Sequence, residues 1–414
     1  MRSEFFVCFV GGFLAAVSPL FAEPSATVEV FDPEVDSSVR QAVEEVMAEQ
    51  KVAGSVTLVA QGGEIVSLLG HGVREINGGA KMTPDTIFRI HSMTKAIVSA
   101  AALQQWEKGE FQLDDPVAKY LPDYGEMGVW HESGKVTPPK RAITIKDLFT
   151  HTSGLPYGFT APPELVEAYS SPKLWGGDLK QFCHELAHLP LVHEPGESWR
   201  YGVNTDVLGR LLEIWSGQPL DEYLQVAFFD PLQMSDTGFW IENEADQNRF
   251  APVHASRKNG VETGADPLGQ KYLAEPKMIS GGGGLVSTAK DYYQFLQMIA
   301  DGGTRFDHQF LKAETVALMT ANQLPKGVPQ IFFGDEQRTK VGFGLGFSVV
   351  TGTSTGWDEA APIDEFGWGG AASCHYWVSP KDDNLIVITL EQTVPYNWNL
   401  ERAVKPVVYE LLGK

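Results

Sequence analysis

Hydrophobic and polar positions follow two different periods along the chain. The segment between residues 37 and 49 is predicted to be an amphipathic helix, because its apolar residues recur three or four positions apart: Val39, Val43, Val46 and Met47. The apolar runs Val56–Val59 and Ile65–Leu69 then flank the turn sequence Gln61–Glu64. This spacing predicts a β-hairpin directly after the first helix.

From Ser92 to about Trp240 the pattern is mostly helical, interrupted by loops rich in Pro and Gly. Strands are predicted further on, at Val341–Val350, Trp368–Val378 and Asn384–Leu390, and helices at Lys290–Ala300, Ala313–Ala321 and Leu400–Leu412. Strands near both ends with helices between them predict an α+β fold. We expect residues 23–88 and 265–414 to form a sheet domain and residues 89–264 a helical insertion. A site would fall in the cleft between them, so that the two parts make one composite catalytic unit.

Composition adds compartment and partner class to this picture. The chain has 414 residues, 43% of them hydrophobic, which is enough for a large core. Its net charge of −21 disfavours nucleic acid and anionic membranes as partners. Residues 1–22 are typical of a signal peptide: Arg2 precedes the apolar run Phe5–Val17, and Leu20–Ala22 is the predicted cleavage site before Glu23. We therefore expect an exported protein, periplasmic or secreted, with no stable membrane insertion after cleavage. An uncleaved anchor is the alternative.

The three cysteines do not form a disulfide framework. Cys8 lies inside the expected signal peptide, which leaves Cys183 and Cys374 in the mature chain. These two thiols can pair only if the fold brings them together. The sequence leaves that question and the oligomeric state open.

Ser92-Met93-Thr94-Lys95 is the strongest candidate for chemistry. It follows the strand-like run Thr86–Ile90 and opens an Ala-rich helical stretch that Gly109 should end. Positions i and i+3 share one face of a helix, so the Lys95 amine can reach the Ser92 hydroxyl. A serine becomes a useful nucleophile only when a neighbouring base takes its proton. The pattern therefore predicts an activated serine in a helical first turn, where free backbone N–H groups favour a developing anion.

Two further segments accompany this motif in chain order. Tyr201-Gly202-Val203-Asn204 precedes a predicted helix, and Trp368-Gly369-Gly370-Ala371 belongs to a predicted strand. Together with the Ser-x-x-Lys turn they resemble the serine β-lactamase and penicillin-binding superfamily, and most closely its class C β-lactamase and family VIII carboxylesterase branch. The resemblance runs over nearly the whole mature chain. It implies an antiparallel sheet flanked by helices, with a mostly helical insertion.

The resemblance also implies a role for each site residue. Ser92 would be the acylated nucleophile, and Lys95 and Tyr201 would share the general-base work, with Tyr201 as the proton acceptor. The backbone N–H groups of Ser92 and Ala371 would form the oxyanion hole. Trp368, Gly369, Gly370 and Val203 would line the substrate pocket. No cofactor and no metal are implied.

Two departures from the lactamase pattern favour an esterase. Val203 stands where the second motif normally carries Asn, and Asn204 comes one residue late. Trp368 stands where the third motif carries a lysine that binds the substrate carboxylate. Both changes remove polar recognition of an anionic, amide-bearing substrate. The same Trp-Gly-Gly pattern is found in the family VIII esterases.

Three other motifs carry weaker predictions. His184-Glu185-Leu186-Ala187-His188 fits a zinc-protease pattern, but the apolar face of its short helix turns both histidines toward solvent. Gly352–Gly356 fits the nucleophile elbow around Ser354, yet an acidic loop follows it instead of the helix that an elbow needs. The glycine run Gly281–Gly284 lacks the rest of a phosphate-binding loop, so we expect close backbone approach beside the site.

The sequence thus predicts a serine hydrolase that cleaves small-molecule esters or amides through an acyl-Ser92 intermediate. Short-chain or aryl carboxylic esters are the expected substrates. A β-lactamase, a D-amino-acid peptidase, an amidase or an acyltransferase on the same fold is the first alternative. A catalytically silent protein that binds a cell-wall ligand is the second, and a zinc peptidase on His184 and His188 is the third.

Overall fold

The computed structural model describes residues 31–50, 52–258, 260–266, 272–333, 336–353 and 358–413. The expected signal peptide and Ser354 lie outside these ranges. The central element is a sheet of seven strands, which are, in chain order, β1 (Gly54–Gln61), β2 (Glu64–Gly72), β3 (Val341–Phe343), β4 (Ser348–Val350), β5 (Phe366–Gly370), β6 (Cys374–Ser379) and β7 (Leu385–Glu391).

The order of the strands in space is β3-β4-β5-β6-β7-β1-β2, and every neighbouring pair is antiparallel. The N-terminal hairpin therefore pairs with the C-terminal strands, and both ends of the chain build one sheet. Gly62 and Gly63 make the hairpin turn with positive φ angles of 60° and 86°, which glycine adopts without a steric penalty. The predicted α+β arrangement with an antiparallel sheet is confirmed; the domain boundaries remain a prediction.

Helices cover both faces of the sheet and fill the middle of the chain. In the described residues the α-helices are α1 (Pro33–Gln50), α2 (Thr94–Lys108), α3 (Ile145–Phe149), α4 (Val166–Tyr169), α5 (Pro172–Trp175), α6 (Leu179–Leu186), α7 (Asn204–Ser216), α8 (Leu220–Leu224), α9 (Glu244–Gln247), α10 (Ala289–Ala300), α11 (Ala313–Met319) and α12 (Asn399–Leu412). The predicted helices at both ends and around residues 290–319 are confirmed.

Short two-stranded pairs connect these elements. Four are antiparallel: Phe88–Arg89 with Val286–Ser287, Val129–Trp130 with Val136–Thr137, Thr304–Arg305 with His308–Gln309, and Phe332–Phe333 with Glu336–Gln337. His254–Arg257 pairs with Gly260–Thr263 and, in parallel, with Thr393–Val394. The first pair matters most, because it fixes the chain immediately before Ser92.

The two faces of the sheet pack against different cores because side chains alternate along each strand. Val56 and Leu58 point into the large core that contains α2 and α7. Val59 and Leu69 point to the other face, where the apolar stripes of α1 and α12 cover them. The terminal helices thus close one face, and the other face is free to support the helical layer that carries the Ser92 turn.

Helix α2 is buried on nearly all sides, as its Ala-rich sequence allows. Small side chains such as Ala96 and Ala100 let neighbouring elements approach the helix closely, and each is at most 1% exposed. Gly109 ends the helix in the left-handed region with a φ of 86°, as predicted. No helix in the described part of the chain is both long and apolar enough to cross a membrane.

Candidate active site

Ser92 lies in a short 3₁₀ turn, His91–Met93, that leads directly into α2. The backbone N–H of Ile90 donates to the carbonyl of Leu285 (3.1 Å), and the Thr94 hydroxyl accepts from the N–H of Leu285 (3.1 Å). One residue of a neighbouring loop therefore holds both sides of the turn. Ser92 itself is half-buried, so its hydroxyl stays reachable at the edge of a buried helix.

Lys95 points back along α2 to Ser92, as the i, i+3 spacing predicts. Its Nζ lies 3.3 Å from Ser92 Oγ, 2.9 Å from the Tyr157 hydroxyl oxygen and 2.5 Å from the carbonyl oxygen of Gly282. The side chain is only 2% exposed. An ammonium group has three donors, and here three oxygens surround it. The amine is thereby held in one orientation toward the serine.

The phenol that bonds to Lys95 is Tyr157, which the sequence did not single out. Tyr157 follows the buried loop of residues 151–155 and reaches across to α2 from 62 positions away. Burial raises the pKa of Tyr157 well above the usual value of 10, and the neighbouring charge of Asp206 raises it further. Tyr157 therefore stays protonated at neutral pH and serves Lys95 as a neutral hydrogen-bonding partner.

Tyr201, the predicted proton acceptor, lies beside the same amine but meets it differently. Lys95 Nζ is 4.8 Å from the centroid of the Tyr201 ring, so the cation lies over the aromatic face. The Tyr201 hydroxyl oxygen accepts a hydrogen bond from Trp368 Nε1 at 3.3 Å. Trp368 was expected only as a pocket wall, and the structure gives it this additional polar contact with a predicted catalytic group.

The end of β5 lies against the Ser92 turn, where the second oxyanion donor was predicted. A β-carbon at Gly370 would collide with the carbonyl oxygen of Ile90 and lie 3.3 Å from the His91 β-carbon. A β-carbon at Gly369 would similarly lie 2.7 Å from the His375 ring. Only glycines permit this approach, and it carries the half-buried Ala371 past the nucleophile turn.

Val203 and Asn204, which follow Tyr201 by two and three positions, are closed off from solvent. Both are fully buried at the start of α7. The Asn204 side chain donates to His151 Nδ1 (2.9 Å) and accepts from the Ser153 hydroxyl. His151 in turn packs against Tyr201, with ring centroids 5.1 Å apart. Asn204 therefore braces the Tyr201 segment through His151, and the pocket role of Val203 remains a prediction.

Aromatic side chains pack against the two phenols beside Lys95. Phe159 stacks on Tyr157 with ring centroids 5.2 Å apart and is 70% exposed, more than any other large apolar side chain among the described residues. Phe333 packs against Tyr201 (5.1 Å) and Trp368 (5.6 Å), measured between ring centroids. The surroundings of the site are therefore rich in aromatic rings, with the Arg338 guanidinium 4.4 Å from the Phe333 ring centroid and 5.6 Å from that of Trp368.

The glycine run beside the site behaves as predicted. A β-carbon at Gly281 would lie 2.6 Å from the carbonyl oxygen of Thr205, and one at Gly284 would lie 2.8 Å from the Phe239 ring. At Gly282 it would collide with Asp206 Oδ2. The loop can therefore press against α7 and still present the Gly282 carbonyl to Lys95.

The zinc-protease pattern is accounted for without a metal. His184 and His188 are exposed; His184 Nδ1 lies 2.9 Å from an Asp123 oxygen, and His188 Nδ1 lies 2.8 Å from the carbonyl oxygen of His184. Glu185 forms an ion pair with Lys173. In the described ranges, no three His, Cys, Asp or Glu side chains converge as metal ligands. Cys183 and Cys374 are both buried and free.

A profile of the β-lactamase family matches residues 39–404, nearly the whole described chain and all of the site. The chain belongs to the β-lactamase family. Family membership confirms the resemblance and, together with the esterase relative below, makes the chain a serine hydrolase.

Individual relatives are similar over most of their length. An uncharacterized protein of Mycobacterium tuberculosis strain CDC 1551 is 33% identical over 352 residues, which cover 83% of this chain and 86% of that protein. Esterase EstB of Burkholderia gladioli is 30% identical over 373 residues, covering 84% and 88%. The solved structure of EstCE1, described as a hydrolase with promiscuous acyltransferase activity, matches with a TM-score of 0.76 over 91% of this chain and 98% of its own. At 24% identity that last match shows the shared fold.

Proposed function

We propose that this β-lactamase-family protein hydrolyses carboxylic esters through an acyl-enzyme intermediate on Ser92. The observation that carries the proposal is the 3.3 Å contact between Lys95 Nζ and Ser92 Oγ at the opening of a buried helix. This distance allows a proton to leave the serine hydroxyl as its oxygen attacks. A lysine with no chemical role would usually keep its ammonium group in water.

Acylation proceeds by attack of Ser92 Oγ on the ester carbonyl carbon while the proton of Ser92 moves to Tyr201 or Lys95. The tetrahedral intermediate collapses, the C–O bond to the alcohol breaks, and the same base returns the proton to the leaving oxygen. Water then attacks the acyl-Ser92 carbonyl by the same route and releases the acid. An alcohol in place of water gives acyl transfer, so hydrolase and acyltransferase differ only in the acceptor.

The backbone N–H groups of Ser92 and Ala371 are the proposed oxyanion hole. Support comes from the close approach of Gly370 to Ile90, which puts the residue after Gly370 beside the nucleophile turn. Two N–H donors fixed by a helix turn and a strand end need no reorganisation when the carbonyl oxygen becomes negative. One such donor is typically worth about 10²–10³ in rate.

The ester preference is inferred from the opening of the site. Trp368 occupies the place where a lactamase has its carboxylate-binding lysine, and its indole N–H is already engaged by Tyr201. Phe333 and Phe159 add aromatic surface beside the two phenols. EstB, 30% identical, is named an esterase. Neutral esters with apolar acyl or aryl groups fit this surface better than anionic lactams or peptides do.

Hydrolysis of p-nitrophenyl butyrate and of a chromogenic cephalosporin by the wild type and by Ser92→Ala tests the proposal. Ser99→Ala is the matched control, because Ser99 is a buried serine of the same helix. Ser354→Ala tests the elbow pattern. We expect fast ester cleavage that only Ser92→Ala abolishes, with slow cephalosporin turnover. Ester cleavage that survives Ser92→Ala contradicts the proposal, and equal cephalosporin turnover contradicts the ester preference.

We also propose that the protein acts outside the cytoplasm. The support is the signal-like sequence of residues 1–22 and the expected cleavage after Ala22. Intact-mass analysis of the protein recovered from periplasm and medium of an expressing bacterium tests this. A mature chain beginning at Glu23 is the expected result, and a full-length chain confined to the cytoplasm contradicts it.

A further inference from the structure

A buried carboxyl group lies behind the lysine and has no part in the mechanism above. Asp206, in the first turn of α7, is fully buried. Its Oδ1 accepts hydrogen bonds from the Ser280 hydroxyl (2.6 Å) and from the N–H of Gly282 (3.0 Å). Its Oδ2 has no hydrogen-bond partner among the described residues. A buried carboxylate oxygen without a donor is costly, so this atom calls for a physical explanation.

The free oxygen points to the phenol that holds Lys95. A β-carbon at Gly282 would collide with Asp206 Oδ2 and would lie 2.7 Å from the Tyr157 hydroxyl oxygen. Asp206 Oδ2 and the Tyr157 hydroxyl oxygen therefore both lie next to the position that a Gly282 side chain would occupy. The carbonyl of Gly282, on the other side of the residue, accepts from Lys95. Asp206, Tyr157 and Lys95 thus surround one glycine that could not be replaced by a larger residue.

Counting hydrogens links these three groups into a chain. As an ammonium, Lys95 donates to Ser92 Oγ, to the Tyr157 oxygen and to the carbonyl of Gly282, which uses all three of its N–H bonds. The Tyr157 oxygen then acts as acceptor, and its own proton needs another acceptor. Asp206 Oδ2 is the unpartnered acceptor beside it. The chain of hydrogen bonds then runs from the Asp206 carboxylate through the Tyr157 phenol and the Lys95 ammonium to the Ser92 hydroxyl.

The charges around Asp206 support the same arrangement. Burial raises the pKa of Asp206, and the positive charge of Lys95 opposes that rise. Tyr157 and the Cys183 thiol of α6 also face the carboxyl, and burial raises the pKa of both, so they stay neutral. Tyr201 lies against Tyr157 and Lys95. The other charged residues of α7, Arg210 and Glu213, form an ion pair with each other. Lys95 is therefore the cation that compensates the negative charge of the Asp206 carboxylate.

We propose that Asp206 is a positioning residue that acts through Tyr157 to fix the orientation and charge of Lys95, and thereby sets the pH range in which Ser92 is acylated. The inference rests on the proposed ester hydrolysis at Ser92. Removing the carboxylate charge leaves the cluster of Lys95, Tyr157 and Tyr201 one unit more positive. Its first proton then leaves at lower pH, whichever group carries that proton.

The test is the pH profile of kcat/KM for p-nitrophenyl butyrate in the wild type, Asp206→Asn, Tyr157→Phe and the double variant. Asp206→Asn keeps an oxygen for Ser280 and the Gly282 N–H, and it removes both the charge and the acceptor that lies beside Tyr157. Asp291→Asn is the matched control, because Asp291 is another buried carboxyl in the first turn of a helix, α10. Thermal midpoints accompany every variant, so that a loss of stability is measured separately.

We expect Asp206→Asn to move the acidic limb of the profile down by about one pH unit, within the usual range for one neighbouring charge. Tyr157→Phe should move it in the same direction, and adding Asp206→Asn to that variant should move it much less. Asp291→Asn should leave the limb in place. If Asp206→Asn does not fold, the Tyr157→Phe shift alone decides.

An unmoved acidic limb in Asp206→Asn, or in Tyr157→Phe, overturns the inference. So does an equal Asp206→Asn shift with and without Tyr157, because the effect would then bypass the phenol. Failure of the proposed function is distinguishable: the wild type itself would then lack ester cleavage that depends on Ser92. A shift of the acidic limb therefore supports the role of Asp206 only when the wild-type protein shows ester cleavage that depends on Ser92.

Discussion

Two buried lysines, Lys95 and Lys405, lie on opposite faces of the same sheet, and each is 2% exposed. Lys405, on α12, contacts three carboxylates: Asp358 at 2.5 Å, and Glu365 and Glu401 at 2.9 Å each. Lys95 contacts three neutral oxygens. In the part of the chain that the structure describes, no carboxylate lies within ion-pair distance of Lys95. The two amines are equally buried, but Lys405 contacts charged carboxylates and Lys95 contacts neutral oxygens.

The difference shows that partners decide what a buried amine does. Burial alone would lower the pKa of Lys405, but its three carboxylates raise it above its usual value. Lys405 is therefore a permanent cation that ties α12 to the segment before β5. Lys95 is held by two hydroxyl groups and one backbone carbonyl, and the single carboxyl of Asp206 lies one residue further away. That arrangement suits chemistry, whereas the Lys405 cluster suits stability.

The largest contrast is expected from Lys95→Met. This change removes the amine beside Ser92 and should lower kcat/KM for p-nitrophenyl butyrate by about 10³ or more, the usual range for a general base that also orients the nucleophile. The free energy of unfolding should fall by less than when a direct ion pair is broken, because the Asp206 carboxyl reaches Lys95 only through Tyr157. Steady-state kinetics and urea unfolding measure the two effects. If Lys95→Met kept a tenth or more of the wild-type kcat/KM, Lys95 would not act as a catalytic base.

The opposite pattern is expected from Lys405→Met. Three carboxylates then lose their common cation in a buried site, and the free energy of unfolding should fall by about 3–5 kcal/mol. Ester hydrolysis should stay near the wild-type value at temperatures where the variant is folded, since Lys405 does not face Ser92. Urea unfolding and kinetics at low temperature are the measurements. Selective loss of kcat in a stable variant would make the two lysines equivalent.

The two tyrosines sharpen the account of Lys95. Tyr201→Phe should lower kcat/KM by about 10², because it removes the proposed proton acceptor. Tyr157→Phe should cost about 10-fold, the value of one hydrogen bond to a charged group. Both variants keep the aromatic ring, so packing is preserved. The kcat/KM values of the two variants, measured under the same conditions, show which phenol contributes more to the reaction. The reverse order of effects would make Tyr157 the base.

The smallest effect concerns pH and the Lys405 cluster. Burial raises the pKa of Glu365 from 4.5 to about 7. Between these two values the folded state holds a proton that the unfolded state has lost, so stability falls as pH rises, by up to about 1.4 kcal/mol per pH unit. Glu365→Gln should remove this component. Unfolding free energies of both proteins from pH 4.5 to 8 measure the difference, and identical slopes would refute the prediction.

Local patterns were sufficient to predict much of this molecule. The hairpin around Gly62 and Gly63, the end of α2 at Gly109 and the approach of Lys95 to Ser92 all depend on residues a few positions apart. Such features follow from backbone geometry, and the structure reproduces them.

Tyr157 and Asp206 were missed because their roles arise from contacts between distant segments. Tyr157 lies in a loop rich in Pro and Gly and reaches Lys95 across 62 positions. Asp206 begins a helix, where an acidic residue is ordinarily explained by the helix dipole. A weak signal did exist: a β-carbon at Gly209, one turn later, would lie 3.5 Å from the Gly281 α-carbon, which marks the close contact with the glycine loop.

Ser92 is the residue proposed to carry the acyl group. The most direct measurement is the intact mass of the mature protein, acid-quenched within the first turnovers of p-nitrophenyl butyrate, followed by peptide mapping. We predict a butyryl adduct of one group per chain on the peptide that contains Ser92, absent from Ser92→Ala and present in Ser99→Ala. An adduct on another residue, or full ester cleavage by Ser92→Ala, would contradict the account.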